Sequence, residues 1–201
     1  APKTGMTTGD NNRFLRMWYE VNIEKLMFDA TSAKDTINVK NKWYPYLKGG
    51  DFRRWYGNND YIINWKNNGQ EIKSNIKPNG LKAASIRSEG LYFKPLISWS
   101  AVSSSMFSCR INMGGALFDS GGSSLYIMKS RSFLLALLNS RVGQYALNLS
   151  NPTINYQPGD IAGIPLRLKN ESMVDSISNN CVVISIGNWD SFETSWDFQT
   201  H

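Results

Sequence analysis

Only one stretch of this chain has the periodicity of a long amphipathic helix. Phe133, Leu134, Leu137, Leu138, Val142, Tyr145 and Leu149 fall on one face at helical spacing. Ser130 or Ser132 can cap its start, and Asn151-Pro152 ends it. Elsewhere the apolar runs are short, rich in aromatic and β-branched residues, and bounded by Gly, Asn and Pro. Residues 14–21, 61–65, 91–93, 96–100, 125–128 and 181–186 read as strands. Gly114-Gly115 and Gly121-Gly122 read as turns around another short apolar piece, and Thr31 to Asp35 offers a second, short helix. These elements predict an α+β fold: a single strand-rich domain with a mixed sheet and one long amphipathic helix near 131–149. Residues 1–12 read as a loop leading in, 13–186 as the domain, and 187–201 as an acidic aromatic tail cut from a longer chain.

The chemistry available to such a fold is narrow. Among 201 residues the one histidine is His201, at the end, and the two cysteines, Cys109 and Cys181, stand far apart. A zinc site needs about four such ligands, and a Ser-His-Asp or Cys-His triad would have to use the terminal histidine. Two lone thiols read as small buried residues in a reducing, cytoplasmic setting, with one disulfide as the alternative. No Walker loop, no G-x-G-x-x-G after a strand and no G-x-S-x-G elbow occurs. Asp51, Asp119 and Asp160 are too scattered to argue for a hydrolase. No apolar run approaches the ~20 residues of a membrane span, so no membrane partner is expected.

What remains is a recognition surface. The net charge is +6, which suits a polyanion without requiring one. Lys42, Lys48, Arg53, Arg54 and Lys66 are interleaved with Trp43, Tyr44, Tyr46, Trp55, Tyr56 and Trp65. Arg and Lys neutralise phosphates and read guanine edges, Asn and Gln pair with adenine edges, and aromatic rings stack on unpaired bases. The competing reading makes the aromatics core and the bases a solvated rim.

Several short motifs, in collinear order along nearly the whole chain, resemble one family. The run Thr8-Gly9-Asp10-Asn11-Asn12-Arg13-Phe14 resembles the T-G-x-N-x-x-F start of TaqI-like C-terminal specificity domains, the target-recognition domains of adenine-specific DNA methyltransferases. Tyr46 to Trp55, with Gly50-Asp51-Phe52-Arg53-Arg54-Trp55, resembles that family's G-x-D/E-I/F-x-R/K-W/Y segment. Ile97-Ser98-Trp99-Ser100, Phe107-Ser108-Cys109-Arg110 and Leu117-Phe118-Asp119 are similar to its central strands. Leu137-Leu138-Asn139-Ser140 resembles its L-L-N-S helix, and residues 151–161 with Ile164-Pro165 close the pattern. The version here resembles that of the adenine methyltransferases of BREX phage-defence systems. It departs from the pattern at Pro95-Leu96, where a glycine is usual.

The resemblance implies a division of labour. Residues 13–186 would form a duplex DNA target-recognition domain. S-adenosylmethionine and the N-P-P-Y/F catalytic loop would belong to a separate methyltransferase domain of the same chain. Asn151-Pro152-Thr153 lacks that loop's second proline and its aromatic, so no catalytic residue and no cofactor are expected in this segment, and methylation is the activity of the parent enzyme. The DNA-facing set it implies is Asn11, Asn12, Arg13, Lys48, Arg53, Arg54, Trp99, Ser100, Ser103, Ser104 and Arg110. Arg and Asn would read bases while Lys and Ser touch phosphate. The tail from Trp189 to Phe198 is expected to form a helix that packs back on the domain or on the remainder of the longer chain. A protein-interaction module, with other phage-defence subunits as partners, and an RNA- or single-strand-binding domain are the alternatives.

Overall fold

The computed structural model describes residues 1–103 and 105–199. In chain order the elements are β1 (Pro2–Lys3), α1 (Asn11–Phe14), β2 (Leu15–Met17), β3 (Trp43–Leu47), β4 (Tyr61–Asn64), α2 (Lys66–Lys73), β5 (Leu96–Trp99), β6 (Cys109–Asn112), β7 (Leu117–Phe118), β8 (Ser124–Leu125), α3 (Arg131–Asn139), α4 (Arg141–Ser150), α5 (Pro158–Ala162) and α6 (Glu171–Asp190), with short 3-10 turns between. The fold is α+β, as the sequence predicts. Two four-stranded sheets carry it, in the orders β1-β8-β5-β6 and β2-β4-β3-β7.

The second sheet is mixed. β3 runs antiparallel to β4 and parallel to β7. Pro45 has no N–H to give. It pairs with Ile62 of β4 alone, and the β7 ladder begins one residue later, at Tyr46 opposite Leu117. The five side chains of β3 are all buried. Around them an aromatic cluster forms in which Trp65–Tyr92, Tyr92–Phe118 and Tyr44–Phe93 meet edge to face at 5.5 to 5.9 Å, the arrangement that the ring quadrupole favours. Most aromatics of the aromatic-basic segment are therefore core.

The first sheet has its own core. Ile97, Trp99, Phe107, Cys109 and Leu125 pack with Leu135 and Leu138 of α3, Leu147 of α4 and Val182 of α6. Cys109 is fully buried and its thiol is pushed up to about 12 by desolvation. Cys181 is half-buried, and both thiols are free.

Three differences from the sequence reading have physical causes. Residues 181–186, β-branched and expected as a strand, lie inside the 20-residue helix α6. Strand propensity reports how well a side chain fits a half-buried surface, and packing overrides it. Here the run only has to supply Val182 and Ile186 to α3's side of the core, while Ser130 and Ser132 donate to Glu171 and Asn179 across the helix pair.

The expected long helix 131–149 is helical over both halves but breaks at Ser140, which is extended (φ −81°, ψ 164°). The Ser140 hydroxyl accepts from the Gly143 N–H at 3.0 Å and caps α4. Before the break Phe133 and Leu138 are buried as expected; after it the inward face is displaced from the expected one. Leu135, Leu138 and Asn139 point inward on α3, Gly143 and Leu147 on α4. Val142, Tyr145 and Leu149, expected in the core, are exposed by about two-thirds instead. Gly143 is the hinge of this packing, since a Cβ there would lie 2.1 Å from the Leu137 carbonyl oxygen.

The third difference is at the two ends. Residues 1–12 are built into the fold: β1 pairs with β8, Met6 is fully buried and Thr8 nearly so. The tail packs back on the body, though α6 ends at Asp190. Trp189 is buried, Trp196 lies 5.0 Å from Phe28, and Trp18 donates its indole N–H to the Thr194 carbonyl. Residues 91–93 form the end of a 3-10 turn and the loop after it, and no strand. No helix among the described residues is long and apolar enough to cross a membrane.

Candidate nucleic-acid interface

The basic residues reach the surface through a loop fixed from below. β3 ends at Leu47, and the chain turns through Gly49 and Gly50 at φ +93° and +127°, a region that side chains disfavour. The loop returns at Trp55, whose N–H donates to the Cys109 carbonyl and whose carbonyl accepts from Ile111, so it joins the edge of β6. Trp55 itself takes φ +72°, a strained setting for an aromatic residue that its surroundings must enforce. The enforcement is visible. Ser100 donates to the Gly50 carbonyl at 2.7 Å, Asn58 to the Asp51 carbonyl at 2.9 Å, and the Ser108 hydroxyl accepts from the Arg53 N–H.

Arg110 is the centre of this support. Its side chain is 3% exposed, and its guanidinium donates to the Ser100 hydroxyl at 3.2 Å and the Arg53 carbonyl at 3.4 Å. Burial lowers its pKa to about 10, which still leaves it charged at neutral pH.

Four residues of the expected DNA-facing set are thereby corrected. Trp99 is fully buried and donates its indole N–H to the Tyr156 carbonyl at 2.9 Å. Ser100 and Arg110 hold the loop from inside. Ser103 is 9% exposed and spends its hydroxyl on the Met106 carbonyl. None of the four offers its side chain to a duplex on this surface. Ser104 lies outside the described residues.

The others are at the surface, in two groups. Asn11, Asn12 and Arg13 form α1, capped by Asp10, whose carboxylate accepts from the Arg13 N–H. Arg13 is tied back to α2: it pairs with Glu71 at 2.8 Å and also reaches Asn75. That hydrogen bond holds the Glu71 carboxyl below its usual range, against a smaller opposing effect of burial. Lys48 stands beside them, its ammonium 5.7 Å from the Tyr61 ring. Asn11 and Lys48 line two adjoining open depressions of about 530 and 330 Å³; Asn12, Arg16 and Glu20 border the larger, Asp119 and Ser120 the smaller.

Arg53 and Arg54 form the second group and face different neighbours. The Arg53 guanidinium stacks 4.8 Å over the Trp189 ring and donates to Asn188, so the tail holds it. Arg54 lies over Phe52 at 5.3 Å and lines a cleft of about 420 Å³ with Met106 and the outward face of α4. Sequence reasoning missed Arg16, Arg141, Gln144 and Asn148. The last three recur at helical spacing with Tyr145, a signal hidden by placing Tyr145 in the core.

The unit thus presents basic side chains on a braced loop and amides on α1 and α4. Over its whole length the chain is similar to one section of much larger adenine-specific methyltransferases. The chain is 40% identical over 204 aligned residues to the adenine-specific methyltransferase PglX of Lacticaseibacillus casei (strain Zhang), an alignment that takes in all of this chain and 17% of the relative. It is 36% identical over 196 residues to the adenine-specific methyltransferase BrxX of Escherichia coli O9:H4 (strain HS), covering 96% of this chain and 15% of the relative. The chain thus spans less than a fifth of the length of the curated relatives it matches. No family model matches it.

Proposed function

We propose that this chain is the duplex DNA recognition domain of an N6-adenine DNA methyltransferase of the BREX type, working in the cytoplasm. The observation that carries the reading is the braced loop: the fold commits a buried guanidinium, two serines and an asparagine to holding Arg53 and Arg54 in place. A separate depression is lined by Asn11, Asn12, Arg16 and Lys48, with Glu20 at its border. Cations that neutralise phosphate, set beside amides that read base edges, are the requirements of duplex recognition.

The methyl donor belongs elsewhere in this reading. S-adenosylmethionine carries a cationic sulfonium. The larger α1-side depression sets Lys48 and Arg16 against one acid, Glu20, and the α4 cleft has Arg54 and Arg141 with no acid at all. The smaller depression sets Asp10 and Asp119 against Lys48, so charge alone does not place the donor; the segment lacks the N-P-P-Y/F loop, and no step of methyl transfer is assigned to these residues.

Fluorescence anisotropy of the purified protein with labelled duplex, titrated over salt, tests the reading. With roughly four phosphate contacts, log Kobs should fall against log salt with a slope of about −3.6. Lys48→Ala should make that slope shallower by about 0.9 and leave the fold intact, because the side chain is partly exposed. Affinity that does not respond to salt would reject duplex binding.

A second surface fits docking onto the remainder of the same enzyme. Met173, Ile177 and Ile184 make an exposed apolar stripe on α6, and the relatives carry more than four-fifths of their length outside the matching section. In a full-length enzyme Ile177→Ser with Ile184→Ser should loosen the segment, seen as faster proteolysis at its junction, with duplex binding by the segment unchanged. Unchanged proteolysis would remove this surface from the proposal.

A further inference from the structure

We propose that the outward face of α4, together with Arg54, is a base-reading element for adenine in a duplex major groove. The inference rests on the duplex DNA reading and names where the sequence would be read. The cleft of about 420 Å³ between the loop and the helix is lined by Arg54, Met106, Arg141, Gln144, Tyr145 and Asn148. It has two cations and no acid, so its complement is anionic. Its other polar groups are carboxamides, with one exposed ring, Tyr145. Anionic, planar and rich in paired donors and acceptors describes a nucleotide better than a peptide or an inorganic ion.

The amides are arranged for one kind of edge. Gln144 and Asn148 are one turn apart on α4, and the Gln144 amide N–H donates to the Asn148 carbonyl oxygen at 2.9 Å. The bond uses one donor and one acceptor. It leaves the Gln144 carbonyl oxygen as acceptor and the Asn148 amide as donor. Adenine presents the complementary pair in the major groove, the N6 amino donor beside the N7 acceptor. No other base pair offers that adjacent order from one purine.

Unsatisfied atoms point to the same cleft. The Gln144 carbonyl oxygen and the Arg54 Nε are both buried, and neither has a hydrogen-bond partner. An orphaned buried donor or acceptor carries a desolvation penalty, and two of opposite sense in one cleft mark a place where a small rotamer change meets a ligand with both. Arg141 is exposed at the first turn of α4 and takes part in no ion pair among the described residues. It is free to neutralise a flanking phosphate. The helix is also free to enter a groove, since only Gly143 and Leu147 of its residues are buried.

The test is selection from a pool of randomised duplex DNA by the protein, followed by sequencing of the bound fraction. Wild type should enrich a motif containing adenine. Gln144→Ala with Asn148→Ala should lower the preference at one adenine by about tenfold or more, the loss expected for one bidentate contact, while non-specific affinity and its salt slope stay as in wild type. Arg141→Ala should lower affinity for every sequence and make the salt slope shallower by about 0.9. If the doubly substituted protein enriches the same motif equally well, the α4 assignment is wrong although duplex binding stands. If wild type binds duplex without enriching any motif, the assignment is also wrong. If wild type fails to bind duplex, both the function and the assignment fall. Circular dichroism of the variants should match wild type, because Gln144 is only half-buried and Asn148 is exposed.

Discussion

Trp99→Ala should cost about 3–5 kcal/mol of folding stability, the range for removing a large aromatic side chain from a packed core. Trp99 is fully buried and meets Phe107 at 6.4 Å, which in turn meets Tyr156 at 5.1 Å. The substitution opens a cavity in the core between the first sheet and its helices. It also leaves the Tyr156 carbonyl without its donor, a further penalty for a buried acceptor. A domain of this size is stable by only about 5–15 kcal/mol, so the variant should melt far below wild type or fail to accumulate. Trp99→Phe keeps most of the volume and loses the hydrogen bond, and should cost distinctly less. Urea unfolding followed by circular dichroism separates the two variants. A Trp99→Ala protein as stable as wild type, with weakened DNA binding, would restore Trp99 to the DNA-facing set.

Arg110→Met should behave in the opposite way, with little effect on stability and a large one on binding. The guanidinium gives two hydrogen bonds of the charge-assisted kind, worth about 1.5–3 kcal/mol each. Against them stands the desolvation of a buried charge, several kcal/mol, with no carboxylate paired to it among the described residues. The two terms nearly cancel, and methionine fills similar space, so the melting temperature should move by only a few degrees. The loop is another matter. Without Arg110 the Arg53 carbonyl loses its donor and Ser100 keeps only its bond to the Gly50 carbonyl, while the strain at Trp55 remains. Amides of residues 50–55 should exchange faster with deuterium, and duplex affinity should fall about tenfold, the equivalent of 1.4 kcal/mol. Affinity and exchange both at wild-type levels would deny Arg110 its positioning role.

These two residues also show where sequence reading reaches its limit. The strands at 61–65 and 96–100 were legible because their apolar residues are β-favouring and turns bound them. The helical character of 131–149 was legible from its period. Its phase was not. A serine can cap a new helix as readily as continue an old one, and only the approach of Gly143 to Leu137 settles which. Residues 181–186 were misread because β-branched composition is weak evidence beside packing on α3. Within the site, the motifs located the Arg53-Arg54 loop and its supports together, as one set of polar residues. A linear pattern cannot tell the residue that holds from the residue that is held, because both are polar and depth is a property of the folded chain. The α4 face escaped notice for the converse reason: an aromatic at helical spacing looks like core until the register is known.

The first eight residues have a practical consequence for anyone trimming this protein. They look dispensable, a Thr-rich lead of the sort commonly deleted to aid crystallisation. Yet β1 completes one sheet by pairing with β8, and three residues later Met6 exchanges backbone hydrogen bonds with Phe118 and Ser120 beside the other. Thr7 then exchanges two with Ser85. The segment is a seam that stitches both sheets, and shears applied at residue nine would cut the seam and clip the Thr8-Gly9 start of the first family motif, while sparing every later one.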